Sequence, residues 1–268
     1  MMRGPEKVGI AVRKPDGTIL VTSENRVPLS RRYRVLALPV FRGVASLVES
    51  LTVGVSALVF SANVGLGEDE QIGKGEMAAT VAFSVAFAVG LFIVAPTLLV
   101  SFLRSRLGLS GFLLNLVEGV LRLVILLGYL WSISRFKDIQ RVLAYHGAEH
   151  QVINAYDRGL ELTVESARKM GPIHPRCGTS FLLIVAMTSV VLFSFFGWPG
   201  VIRRIVLRLL LLPVVAGISY EVMRATSRLS SPLARALAWP GMSLQRFTTR
   251  QPDDSMIEVA LKAFEAAR

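Results

Sequence analysis

A chain of 268 residues that is 52% hydrophobic, with a mean hydropathy of +0.53, is too apolar for an ordinary soluble domain and reads as a polytopic membrane protein. Its formal net charge of +11 points first to Lys- and Arg-rich loops at an anionic lipid surface, with ribosomal RNA or another acidic partner the weaker reading, and sequence-specific nucleic-acid binding is not expected. The single cysteine excludes an intramolecular disulfide, so nothing argues for an oxidising compartment.

Residues 1–42 read as a basic cytoplasmic segment. Two short β-prone runs within residues 8–21 flank Pro15-Asp16-Gly17, which predicts a β-hairpin with a tight turn. Arg26, Arg31, Arg32, Arg34 and Arg42 then approach the membrane from its cytoplasmic side. No cleavable signal peptide is expected, because the opening residues are polar and the first long apolar run begins near Gly43.

Residues 43–134 form the first membrane region, with segments near 43–64, 77–101 and 112–134. Glu49 interrupts the first segment. The loop that follows carries Glu68, Asp69, Glu70 and Glu76 against Lys74 alone, which places it outside. The second segment is free of charge and long enough to cross with tilt, and Pro96 is tolerable near its end. The third holds Glu118 and Arg122 at i, i+4, a pair that lowers the cost of a carboxylate at membrane depth. If 112–134 spans, there are five crossings, and the His-bearing segment and the tail lie outside with seven Lys plus Arg each, against the positive-inside rule. If it is re-entrant or interfacial, there are four crossings, with that segment and both termini inside and Arg203 and Arg204 outside, a smaller violation. The second arrangement is preferred.

Residues 135–179 hold all three histidines and the only cysteine. A helix is expected from about Ile139 to Asp157, capped by Asp138 and ended by Gly159, with another short helix starting at Thr163. At about 100° per residue, His146 and His150 lie roughly 40° apart on one face, with Glu149 about 60° to the other side of His146. Two imidazoles one turn apart beside a carboxylate suit a metal ion, and the order His-x-x-Glu-His is an inverted zinc-protease pattern. His174 and Cys177 supply a second pair, in a loop able to fold back. The competing reading is a purely structural polar cluster on the apolar stripe of Val142, Leu143, Val152 and Ile153. Residues 180–221 then form a membrane hairpin turned at Pro199-Gly200. Residues 222–268 form a basic cytoplasmic tail with an amphipathic helix bearing Ile257, Ala260, Leu261 and Phe264 on one face.

The run Tyr145-His146-Gly147-Ala148-Glu149-His150, then Asn154-Ala155-Tyr156, Glu161-Leu162-Thr163 and His174-Pro175-Arg176-Cys177-Gly178-Thr179-Ser180-Phe181, resembles the YqhQ-like family of bacterial integral membrane proteins. Met2-Arg3-Gly4-Pro5, Val12-Arg13-Lys14-Pro15-Asp16-Gly17 and Pro252-Asp253-Asp254 carry the same resemblance, which covers nearly the whole chain. Members typically have a Gly-rich stretch with a glutamate just before the Met-x-Arg-Gly run, and this sequence begins inside that motif. The resemblance implies a multi-pass protein of the bacterial cytoplasmic (inner) membrane, labelled a predicted metal-dependent enzyme, with no particular reaction attached.

The fold class expected is mainly α: a polytopic helical membrane protein of four to five membrane segments, with a small N-terminal β-hairpin and a helical metal-binding segment between membrane segments. The functional expectation is a zinc-dependent, hydrolase-type enzyme facing the cytoplasm. His146, His150 and His174 would be ligands, Cys177 a fourth ligand or a close neighbour, and Glu149 the general base. The alternative is a non-enzymatic membrane-protein biogenesis or interaction factor with a closed structural Cys-His₃ zinc site. Its basic surface would dock translocation machinery, a ribosome or anionic lipid, and separately a homo-oligomer is an expected partner state.

Overall fold

The computed structural model describes residues 1–66, 71–175, 177–228 and 232–268. Glu68, Asp69 and Glu70 of the acidic loop and Arg176 of the His-Pro-Arg-Cys run lie outside the described residues, as do the side chains of Arg228 and Arg235 in the tail.

The expected hairpin is present as β2 (Lys7–Arg13) and β3 (Ile19–Asn25), paired antiparallel from Lys7↔Asn25 to Arg13↔Ile19. Asp16 Oδ1 accepts from the Thr18 N–H at 2.8 Å and Gly17 takes φ +86°, which together close the turn. A two-residue strand, β1 (Met2–Arg3), adds a third antiparallel member on the other edge of β2. Side chains alternate along β2, so Val8, Ile10 and Val12 face one way. They pack on Val53, Ala57, Phe60 and Val64 of α2 (Phe41–Gly65), which follows the short α1 (Leu29–Arg32).

The opposite face of the sheet is covered by the C-terminal helix, which we label α11 (Asp254–Ala267). Asp253 caps it, accepting from the Met256 N–H at 2.9 Å. Its apolar stripe, with Ile257, Ala260, Leu261 and Ala263 buried, closes a core with Ala148 and Val152 of α6 (Lys137–Asp157) and Ala167 of α7 (Val164–Arg168). The apolar face of the tail therefore lies inside the chain's own core. Burial of Ile257, Leu261 and Val152, at ~1.5–3 kcal/mol each, helps hold the two ends of the sequence together, and the alanines let the elements approach closely.

The remaining helices form a bundle. In order they are α3 (Lys74–Val89), a π-helical turn (Gly90–Val94), α4 (Ala95–Leu107), α5 (Gly111–Ile133), α8 (Gly178–Ser194), α9 (Val201–Arg228) and α10 (Pro232–Thr248). Pro96 has no N–H to give to the Phe92 carbonyl one turn earlier. That carbonyl instead accepts from Arg122 Nε at 2.8 Å, so the irregular turn anchors α4 to α5. The expected Glu118–Arg122 pair is present at 3.2 Å, and Arg208 of α9 adds a second, closer partner, with Nη2 2.7 Å from Glu118 Oε2. Glu49 pairs with Arg3 and Glu221 with Arg42.

Among the described residues, three helices are long and apolar enough to cross a membrane by length and composition: Phe41–Gly65, Lys74–Arg104 and Gly111–Ile133. Gly178–Ser194 is apolar but shorter. Large apolar side chains stand outward on the bundle, Phe83 at 73% and Phe102 at 71% exposure, as expected of surfaces that face lipid.

Candidate metal centre

The His-bearing helix α6 begins two residues earlier than expected. Phe136 takes the N-cap position, and Asp138 sits inside the first turn, where its charge favours the helix dipole without capping it. One face of α6 is pinned by α11 through Ala148 and Val152, and the adjoining face meets the segment after α10. Gly147 makes that second contact possible. A Cβ there would stand 2.0 Å from the Arg250 carbonyl oxygen. The approach brings the Arg250 N–H to the Leu143 carbonyl at 3.0 Å and the Thr248 carbonyl to His146 Nδ1 at 2.7 Å.

A carbonyl only accepts, so His146 donates through Nδ1 and presents Nε2 inward. His150 is fixed the same way, with Nδ1 2.7 Å from the Pro172 carbonyl. This is the arrangement metal-binding imidazoles usually show, the outer nitrogen tied to a carbonyl and the inner one free for the ion. Cys177 completes the group from another element. It is the N-cap of α8, where its sulfur accepts from the Thr179 N–H at 3.4 Å and lies 3.3 Å from His146 Nε2. The ligand atoms of His146, His150 and Cys177 all fall within 4.8 Å of one another. Nitrogen and sulfur ligands on one tetrahedral zinc are separated by about 3.5 Å, so the set fits that ion with small adjustments.

His174 stands outside this group. Its Nε2 faces Asp157 Oδ2 at 3.1 Å, and its ring centre is 5.9 Å from that of His150. Gln245 of α10, fully buried, accepts from the His174 N–H and donates to its carbonyl, both at 2.9 Å, which locks the loop before Cys177. Asn154 holds the same loop to α6 through the Gly171 and Ile173 carbonyls, at 2.9 and 3.0 Å. Four expected ligands are thus divided into a convergent three and a neighbour. Asp157, Gln245, Thr248 and Gly147 have roles here that the reading of the sequence did not assign. Gln245 and Thr248 lie 71 and 102 residues from the histidines they hold, beyond the reach of any local spacing.

Glu149 turns toward a cleft of about 540 Å³ that also exposes His146, walled by Ile10 and Val12 of β2 and by Ala57 and Leu58 of α2. Its Oε1 accepts from the amino group of Met1 at 2.6 Å. Burial resists charge on the Cys177 thiol, but hydrogen bonds from His146 and His150 outweigh it and bring the pKa down to about 5. Burial also opposes the His146 imidazolium, yet the contact with Cys177, the Thr248 carbonyl and the charge of Glu149 together raise its pKa above 6.5. In metal-free protein the thiolate absorbance of this sole cysteine is expected to titrate near 5. His146→Phe should move the midpoint upward toward the ordinary 9.0, and an unmoved midpoint would show that the imidazole does not stabilise the thiolate.

The chain is 32% identical over 279 residues to the "Uncharacterized protein YqhQ" of Bacillus subtilis (strain 168), an alignment covering 98% of this chain and 87% of that protein. No solved structure matches it. A family described as "Protein of unknown function (DUF1385)" matches residues 38–268, which takes in α2 to α11 and every member of the His–Cys group, and the chain belongs to that YqhQ-like family.

Proposed function

We propose that this protein is an integral membrane metalloprotein in which His146, His150 and Cys177 hold zinc and Glu149 serves as general base in a hydrolase-type reaction. The observation that carries the reading is the convergence of three ligand atoms within 4.8 Å, both imidazoles having Nδ1 tied to main-chain carbonyls. Three protein ligands leave a fourth position open, the pattern of catalytic zinc, whereas a closed structural site needs four. His174 would have to leave Asp157 to become the fourth. Zinc bound there supplies Lewis acidity. The chain supplies the rest: Thr248 and Pro172 fix the imidazole tautomers, and Glu149 accepts a proton at the cleft wall.

The reading is tested by metal analysis of protein purified in mild detergent without chelators. About one zinc per chain is expected, lost at least tenfold in His146→Ala, His150→Ala and Cys177→Ser because each removes a ligand. Zinc should remain in His174→Ala and Glu149→Gln. Loss in His174→Ala would favour the closed structural site and the interaction-factor reading. Absence of zinc from the wild type would remove the metal from both.

We also read the chain as crossing the bilayer four times, by α3–α4, α5, α8 and α9. Three antiparallel contacts run α4 and α3 down the length of α5: Thr97 with Glu118, the Phe92 carbonyl with Arg122, and Phe87 with Tyr129. The first turn of α5 meets the α8–α9 turn, where Asn115 donates to the Gly197 carbonyl, and its end meets the His–Cys region, where Arg250 donates to the Ser134 carbonyl. In contrast, α2 carries the sheet along its flank from Glu49 to Val64. An open-edged sheet has no place in hydrocarbon, which argues that α2 stays on the side of the metal group despite its composition. Four crossings are kept, with 112–134 crossing and 43–64 not. Only Arg104, Arg106, Arg203 and Arg204 then fall at the far end, so the positive-inside rule places both termini and the metal group in the cytoplasm of a bacterial cell.

A further inference from the structure

At the end of the bundle remote from the histidines, charge is out of balance. Glu118, 1% exposed, accepts from the guanidiniums of Arg122 and Arg208, while that of Arg204 is drawn to it only through space, and Arg204 and Arg208 are each 3% exposed. Arg208 is paired with Glu118 through both terminal nitrogens, and Arg122 donates to Glu118, Ser189 and the Phe92 carbonyl. Among the described residues Arg204 makes no ion pair, and Glu118, already held by two guanidiniums, attracts it only from a distance. Its Nη2 reaches Ser101 and the Thr97 carbonyl, and its guanidinium lies 3.7 Å over the Trp198 ring, but Nε and Nη1 are buried without any hydrogen-bond partner. A buried cation with unmet donors is costly, and water can satisfy the donors without cancelling the charge.

Beside it is a void of about 10 Å³ lined by Arg204, Arg208, Asn115, Gly197 and Pro199. That is room for one oxygen-sized atom. The α8–α9 turn around this opening carries Phe195 at 79% and Ile202 at 80% exposure, with Trp198 between them. Bare aromatic and aliphatic side chains flanking a tryptophan are the composition of a membrane interface. We propose that this pocket takes a phosphate oxygen from the headgroup of an anionic lipid, which neutralises Arg204 and closes the far end of the bundle. The void admits the tip of a phosphate while the rest of the headgroup and its acyl chains stay outside, against Phe195 and Ile202. The inference rests on the four-crossing arrangement and is independent of the metal.

The test uses full-length protein in maltoside micelles, with phosphatidylglycerol as probe. A phosphate-free galactolipid and inorganic phosphate are the two comparisons. Native mass spectrometry is expected to show one phosphatidylglycerol held per wild-type chain and by Arg203→Gln, whose side chain is exposed one residue away. In Arg204→Gln affinity should fall about tenfold or more, the worth of one charge-assisted contact. Phosphatidylglycerol should raise the melting temperature of the wild type and not of Arg204→Gln. Without lipid the variant should melt at or above the wild type, because its uncompensated charge is gone. A purely structural arginine would give the opposite order. If Arg204→Gln does not fold, the wild type decides alone: equal stabilisation by galactolipid and phosphatidylglycerol overturns the proposal. An equal shift with inorganic phosphate alone supports the anion pocket but overturns the lipid as its source. Zinc retained in Arg204→Gln while lipid is lost separates this site from the metal group.

Discussion

Gly147→Ala is expected to destabilise the protein by about 3 kcal/mol, the upper part of the range for overpacking, and to strip most of its zinc. The added methyl would stand 2.0 Å from the Arg250 carbonyl oxygen, which is main chain and cannot swing aside as a side-chain tip could. Either α6 or the segment after α10 must move. In both cases the Arg250 N–H leaves the Leu143 carbonyl, and the Thr248 carbonyl leaves His146 Nδ1. The imidazole then loses the contact that fixes its tautomer and aim, and comparable losses weaken metal binding about 10–100-fold. Gly54→Ala is the matched control. Its Cβ meets nothing within 4 Å, so alanine there should be neutral or stabilise α2 by about 0.5–1 kcal/mol. Denaturation and zinc content of both variants check the argument, and a Gly147→Ala protein with wild-type stability and full zinc would remove Gly147 from the site.

Glu118→Ala is expected to cost about 3–5 kcal/mol, because it leaves two buried guanidiniums and the partly buried one of Arg122 with no carboxylate between them. The double variant Glu118→Leu with Arg208→Met should recover most of that loss. It removes one charge of each sign, keeps the net charge of the bundle as it was, and fills the space with apolar atoms. Unfolding midpoints in the same detergent measure both. A single variant within about 1 kcal/mol of the wild type would show that water already screens these groups, contrary to their burial. The single variant should also depend more steeply on phosphatidylglycerol, since its bundle carries a further unmatched charge.

Much of the architecture was legible in short stretches. Pro15-Asp16-Gly17 set the hairpin turn, and Thr163 was readable as the start of a short helix, because each depends on the few residues that make it. Asp138, read as a cap, sits instead inside the first turn of α6. Glu118 with Arg122, and His146 with His150, were readable as pairs, since helical spacing alone puts them side by side. The two-residue β1 was not legible. So short a strand exists only because β2 offers it an edge. Nor was the fate of the C-terminal helix: an amphipathic stripe says that a face is buried, not against what.

The same division runs through the candidate site. The sequence by itself determined that the histidines and the thiol are neighbours along the chain and that two imidazoles share a helix face, because these depend on spacing within one turn. It also determined that the chain is rich enough in apolar residues to supply helices of membrane length. The tertiary structure decided which potential ligands converge, since Cys177 and His174 are only three residues apart yet one meets His146 and the other meets Asp157. It decided, too, that α2 is flanked by the sheet and that, among the described residues, Arg204 is left with two guanidinium nitrogens unbonded. These outcomes rest on contacts between residues tens to hundreds of positions apart, where the packing of whole elements overrides anything a local pattern can specify.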